Sequence, residues 1–210
     1  MYKKITSIGP RRIIGLIIGN LFLAMGVSLF KLSGMGNDPL SAMFLALSSV
    51  WNISYANVVL LLNTLMFIAE LVFGRKYIGL GTFVNWFLTG YIAQFFLWIS
   101  DAYIIPPQDF ISRLPYLLVT VIMMSLGVSL YQTSDLGIAP YDSLALILNK
   151  HLPLPYFWCR IITDGLCTLI CLFAGGLIGL GTLVSAFFLG PIIHFFTEHI
   201  SKKLIYKKPS

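Results

Sequence analysis

Charge is what this sequence has least of. Only 10% of its 210 residues are Asp, Glu, Lys or Arg, against about 25% in an average soluble domain. That is too little to cover a water-facing surface. Regular alternation of polar and apolar residues is missing as well, which argues against an outer-membrane barrel. Cysteine is scarce: Cys159, Cys167 and Cys171 fall in one apolar segment. They make neither a disulfide framework nor a metal-ligand pattern and read as small packing residues. Enzyme signatures are absent too, with no H-x-x-x-H pair, G-x-S-x-G elbow, Walker loop or metal-type carboxylate cluster. No enzyme, no cofactor and no metal are expected.

Apolar runs are what the chain has in abundance. It is 58% hydrophobic with a mean hydropathy of +0.87, and runs near the ~20 residues a bilayer crossing needs recur along it. The expected class is an all-α polytopic membrane protein with the lipid bilayer as its main partner. The net charge of +6 comes largely from the two ends, through Lys3, Lys4, Arg11 and Arg12 and through Lys202, Lys203, Lys207 and Lys208. Basic ends on such a chain are topology signals facing the cytoplasm and anionic lipid, so nucleic acid is not an expected partner. The first apolar segment, 13–32, is too long for a signal-peptide core and lacks a cleavage site.

The sequence repeats itself. "GVSLFKLSGMGNDP" (26–39) matches "GVSLYQTSDLGIAP" (127–140) at seven of 14 positions, and "IGLGTFVNWFLTGYIAQFF" (78–96) matches "IGLGTLVSAFFLGPIIHFF" (178–196) at 11 of 19. Between them Tyr55 pairs with Tyr156, Asn63 with Asp164 and Gly74 with Gly175. Fixed offsets of shared Gly, Ser, Thr and Pro mark a tandem duplication. Repeat 1 covers 12–99 and repeat 2 covers 114–199, joined by a polar linker at 100–113 and followed by a basic cytoplasmic tail at 200–210. Each copy reads as long span, break, short apolar piece, long span, long span. The spans predicted are 12–32, 55–73 and 78–99, then 114–133, 156–174 and 177–199.

The short pieces, 39–51 and 140–150, decide the architecture. Thirteen residues make about 20 Å of helix, short of a ~30 Å hydrocarbon core. A dip to mid-membrane followed by a short returning helix, a re-entrant hairpin, fits better. Each repeat then has three full transmembrane helices plus a hairpin, and the second repeat is inverted. A crossing short piece would make the repeats parallel. Inversion predicts opposite Lys/Arg bias in equivalent loops, and Arg75-Lys76 does stand opposite the uncharged Gly175-Gly176, while Lys150 has no basic counterpart.

The segments "GIAPYDSLALIL" (137–148), "RIITD" (160–164) and "IGLGT" (178–182) resemble the YczE/YyaS/YitT family of bacterial integral membrane proteins, and the resemblance covers essentially the whole chain. It implies a multi-pass protein of the bacterial plasma membrane and supplies no substrate. The soluble C-terminal domain that some relatives carry is not expected here.

The polar residues within this apolar background are the site candidates. Pro39 and Pro140 suit the first position of a helix. Asp38 then stands as an N-cap beside Asn37, and Asp142 lies in a first turn; each is explained by capping alone. If the short helices start at mid-membrane, their free N–H groups become binding donors, and paired broken elements mark a transporter site. Arg160 and Asp164 share a helix face within a span, at a place where charge is costly. They read equally as a structural pair and as a holder of an anionic group. Copy one has Val59 and Asn63 there. Thr82 and Thr182 begin the last span of each copy, as packing residues or as walls of a polar pathway. His194, opposite Gln94, reads as an interfacial hydrogen-bonding residue or a proton relay. Glu70 is expected to snorkel beside Arg75. The leading expectation is a secondary transporter of a small solute, with Arg160 suited to an anionic one and Asp142 or Asp164 coupling to H⁺ or Na⁺. A channel with the hairpins as filter and a non-transporting scaffold or regulator are the alternatives. A bundle this small is compatible with a homodimer.

Overall fold

Proline, aspartate and glycine punctuate the chain where its helices begin and end. A computed structural model describes residues 9–206, and the described residues form helices without a strand. Among the described residues six helices are long and apolar enough to cross a membrane: α1 (Pro10–Ser33), α3 (Tyr55–Phe73), α4 (Leu80–Tyr103), α5 (Phe110–Thr133), α7 (Tyr156–Phe173) and α8 (Leu180–Tyr206). Two short ones separate them, α2 (Pro39–Trp51) and α6 (Pro140–His151). Pro10, Pro39 and Pro140 each sit at the first helical position, where a missing N–H removes no hydrogen bond. Asp38 caps α2 by accepting from the Ser41 amide at 3.1 Å. Gly34 and Asn52 stop α1 and α2 in the left-handed region.

Three helix boundaries differ from the sequence-based expectation by four residues or more. Helix α4 runs on to Tyr103 and α5 starts at Phe110, so the linker shrinks to 104–109. Asp101 belongs to the last turn of α4 because Lys31 of α1 pairs with it at 2.7 Å. Likewise α8 continues through Lys202 and Lys203 to Tyr206, helped by the Glu198–Lys202 pair one turn apart. Lys207 and Lys208 lie outside the described residues, as do Lys3 and Lys4.

Helices α1 and α5 form the centre of the bundle, packed face to face. Glycine permits that approach. A Cβ on Gly19 would stand 2.7 Å from the Gly127 carbonyl oxygen, and one on Gly127 would stand 2.8 Å from that of Gly19. Close backbone contact through small residues is the usual means of helix association in lipid. At one end of this pair Arg12 donates to the Ser134 carbonyl at 2.7 Å and reaches Asp135, and the Tyr206 hydroxyl donates to the Thr133 carbonyl. At the other end lies the Lys31–Asp101 pair. Lipid-facing surfaces of α3, α7 and α8 expose Leu, Phe and Ile, as expected of helices with no water to meet.

The two breaks dock on each other's half of the chain. The Gly181 amide, at the start of α8, donates to the Met35 carbonyl in the first break at 2.7 Å. The Gly81 amide, at the start of α4, donates to the Leu136 carbonyl in the second break, also at 2.7 Å. Thr82 donates to the Ile138 carbonyl at 2.7 Å, and Thr182 packs against Gly36. Gly36 and Gly137 have φ of 94° and 118°, a region L-residues avoid. A side chain at either would also strike the facing Gly-Leu-Gly backbone. Serine clasps recur at matched places, Ser28 with Ser100 and Ser129 with Ser201. The second falls at a π-helical stretch, Thr197–Ser201, and α4 has its own at Asn85–Thr89.

Candidate functional site

The first turns of α2 and α6 border one cavity of about 820 Å³, within the ~300–1,000 Å³ usual for small-molecule sites. Its charged residues arrive from three helices. Asp38 and Pro39 come from the start of α2, Asp142 from the first turn of α6, and Arg160 and Asp164 from one face of α7. Asn63 of α3 and His194 of α8 join them. Each is placed by helical geometry. The break delivers Asp38 as a cap, and a four-residue step stacks Arg160 on Asp164.

Arg160 is the hub of this polar cluster. Its Nη1 donates to Asp142 Oδ1 at 2.6 Å, and its Nε lies 3.3 Å from Asp164 Oδ1. The guanidinium also stands over the Tyr141 ring, 4.7 Å from its centroid, a cation–π arrangement. Both carboxylates are supported from behind: the Tyr131 hydroxyl donates to Asp142 Oδ2 and the Tyr141 hydroxyl to Asp164 Oδ1. Two tyrosines, two aspartates and one arginine therefore form a chain of charge-assisted hydrogen bonds. Arg160, which the sequence reads equally as one of a structural pair and as a holder of an anionic group, lies between two carboxylates with a third of its side chain exposed.

Seven of the residues singled out in the sequence line this cavity: Asp38, Pro39, Asn63, Asp142, Arg160, Asp164 and His194. Four others do not. Thr82 and Thr182 are fully covered because they latch the opposite break. Asn37 turns away, its amide donating to the Val27 carbonyl at 3.1 Å and its oxygen accepting from the Asp38 amide. Pro140 is buried at the start of α6, and its carbonyl accepts from Ser143. Glu70 does not snorkel: it is fully buried, and neither oxygen has a hydrogen-bond partner among the described residues. Arg75, its expected companion, donates to the Leu71 carbonyl. Gln94 accepts from the Ala56 amide, so only the His194 side of that matched pair reaches the cavity.

The tyrosines are what the sequence reading missed. Tyr131 and Tyr141 supply the hydroxyls just described, and Tyr55 and Tyr156 add aromatic walls. A signal did exist, since Tyr55 and Tyr156 occupy matched repeat positions and Tyr141 adjoins Asp142. Asn85 also borders the cavity, from the π-helical stretch of α4, and donates to Asn20 at 2.9 Å. The three cysteines are free and buried, in keeping with packing. No group of three or more metal-ligating side chains occurs among the described residues.

The model of the family of unknown function DUF6198 matches residues 10–198. The chain is 24% identical to the uncharacterized protein YyaS of Bacillus subtilis, over 90% of this chain and 94% of that one. It is 27% identical to the uncharacterized membrane protein YczE of the same organism, over 84% and 81%. An uncharacterized protein of Haemophilus influenzae is 26% identical over 86% and 80%. No solved structure matches the chain.

Proposed function

From the premise that the chain belongs to the family of unknown function DUF6198, we propose that it is a secondary transporter of a small solute across the bacterial plasma membrane. The observation that carries this reading is the 820 Å³ cavity bordered by the first turns of both short helices and by buried charges. Intramembrane ionisable groups are costly and gather along solute pathways. Paired broken helices at matched positions of two repeats are the architecture of alternating access.

Contact parity supports the inverted arrangement. Lys31 ends α1 and Asp101 ends α4, and they touch. An even number of crossings must separate them; α3 and α4 supply two, and a crossing α2 would make three. Arg12 and Asp135 touch as well, with α1, α3, α4 and α5 between them. Thr133 and Tyr206 touch, with α7 and α8 between. All three pairs agree with short helices that return to the face they left, and each would be broken by a crossing one. An odd number of spans per repeat inverts the second repeat. Arg11, Arg12, Arg75, Lys76, Lys150, Lys202 and Lys203 then share one face, which the positive-inside rule makes cytoplasmic. Both termini are cytoplasmic in this reading.

Two measurements test the proposal. Single cysteines at Lys31, Arg75, Lys150 and Gly175 are labelled from either side. Arg75 and Lys150 react from the cytoplasm, and Lys31 and Gly175 from outside. Arg75 and Gly175 reacting from one side refutes inversion. In proteoliposomes, uptake saturates with solute and responds to an ion gradient. Unsaturable flux identifies a channel, and no flux over a broad metabolite panel identifies a scaffold.

A further inference from the structure

We propose that the solute is a small organic cation, its ammonium group held between Asn63 and Asp164. This deepens the transport reading and rests on it for the claim of movement, though not for binding.

Three carboxylates line the cavity, Asp38, Asp142 and Asp164, against the one guanidinium of Arg160. Asp142 and Arg160 satisfy each other at 2.6 Å. Asp164 shares the same guanidinium, and Asp38 has no basic partner among the described residues. Asp38 Oδ2 accepts from the Ser41 amide, whereas its Oδ1 is buried without a hydrogen bond. The N-terminus of α2 offsets roughly half a charge there, so with its carboxylates ionised the cavity is negative. Buried carboxylates without counter-charge are costly, and a bound cation is the counter-charge that fits. An anion would add to the excess.

Asn63 and Asp164 occupy matched positions of the two repeats, on α3 and α7, and both border the cavity. Asn63 is 4% exposed and Asp164 is 7% exposed. The Asn63 side chain makes no hydrogen bond among the described residues, and its amide is not among the fully covered atoms left unpaired, so it stays open to the cavity. Asp164 uses Oδ1 for Tyr141 and Arg160, and its Oδ2 accepts no hydrogen bond among the described residues. An unpaired amide and an unpaired carboxylate oxygen on two walls of one cavity suit a donor-rich cation placed between them.

Size and walls choose the kind of cation. An alkali ion would leave nearly all of the 820 Å³ unfilled, whereas an organic ammonium carries carbon that can take up part of it. Phe44, Tyr55, Tyr156 and Phe157 border the same space, and aromatic faces attract alkylammonium groups.

Binding to the purified full-length protein in detergent is measured by thermal shift and isothermal titration. The probes are ethylammonium, tetramethylammonium, Na⁺, K⁺, acetate and phosphate. At least one organic ammonium is expected to bind saturably, with no saturable response to acetate or phosphate. Asn63→Asp adds a carboxylate and tightens that binding tenfold or more; Asp164→Asn weakens it as much. Asp101→Asn, outside the cavity, leaves it unchanged. The Asn63→Asp variant keeps the test decisive if Asp164→Asn fails to fold. Saturable binding of an anion, of Na⁺ or K⁺ alone, or of no probe overturns the proposal, as does ammonium binding indifferent to Asn63→Asp. Ammonium binding without uptake into proteoliposomes supports the cation site while refuting transport. Saturable uptake of an anion retains transport and refutes the cation site.

Discussion

At the scale of residues, Arg160 shows how a buried charge is accommodated. It sits between Asp142 and Asp164 while a third of its side chain stays open to the cavity. Removing one member of such a cluster leaves partners uncompensated, whereas replacing all of them with neutral groups of similar volume does not. Arg160→Met is therefore expected to destabilise by about 3 kcal/mol, at the low end for a buried pair because of that opening. The triple variant Asp142→Asn, Arg160→Met, Asp164→Asn should recover most of the loss. Apparent melting temperature in detergent checks both. A triple variant no more stable than the single one would show that Arg160 acts through packing along its stem and against Tyr141.

At the scale of elements, the breaks are built by backbone rather than by side chains. Gly137, with φ of 118° and a would-be Cβ 2.6 Å from the Gly79 amide nitrogen, has no room for alanine. Gly137→Ala should cost more than about 1 kcal/mol, since both strain and contact oppose it. Gly190, inside α8 with nothing within 4 Å of its Cβ position, should accept alanine with no loss, as a helix interior does. Comparing the two melting temperatures separates the latch from a general intolerance of substitution. Much of this level was legible in the sequence. The short helix at 39–51 and the span at 55–73 match the structure to the residue, because Asp-Pro starts and polar stops act locally. Less legible were the ends of α4, α5 and α8. Ion pairs such as Lys31–Asp101 carry a helix past the last apolar residue, and hydropathy cannot anticipate a partner 70 residues away. The same holds for the site. Asp38, Asp142, Arg160 and Asp164 stand out as charges in lipid, but the Arg160–Asp142 bond joins two helices. Thr82 and Thr182, equally polar, turned out to serve the latch because their partners lie in the other half of the chain.

At the scale of the whole molecule, the two halves complete each other. Each break finds its hydrogen-bond partner at the start of the other half's last span, and α1 crosses α5 through facing glycines. Neither half alone satisfies its own break. A chain cut between Ile104 and Asp109 should therefore assemble when the two fragments are co-expressed and co-purify through a tag on one. Either fragment alone should be degraded or aggregate. Stable, monodisperse accumulation of residues 1–104 by themselves would contradict this account. The reciprocal latch also sets an order of events during synthesis. Met35 emerges early, yet the amide that receives its carbonyl belongs to Gly181, nearly 150 residues later. At the usual pace of translation that interval is on the order of 10 s. For that time the Met35 carbonyl in the first break is without the partner that the finished fold gives it. The last span to be made is the one that finishes the first break.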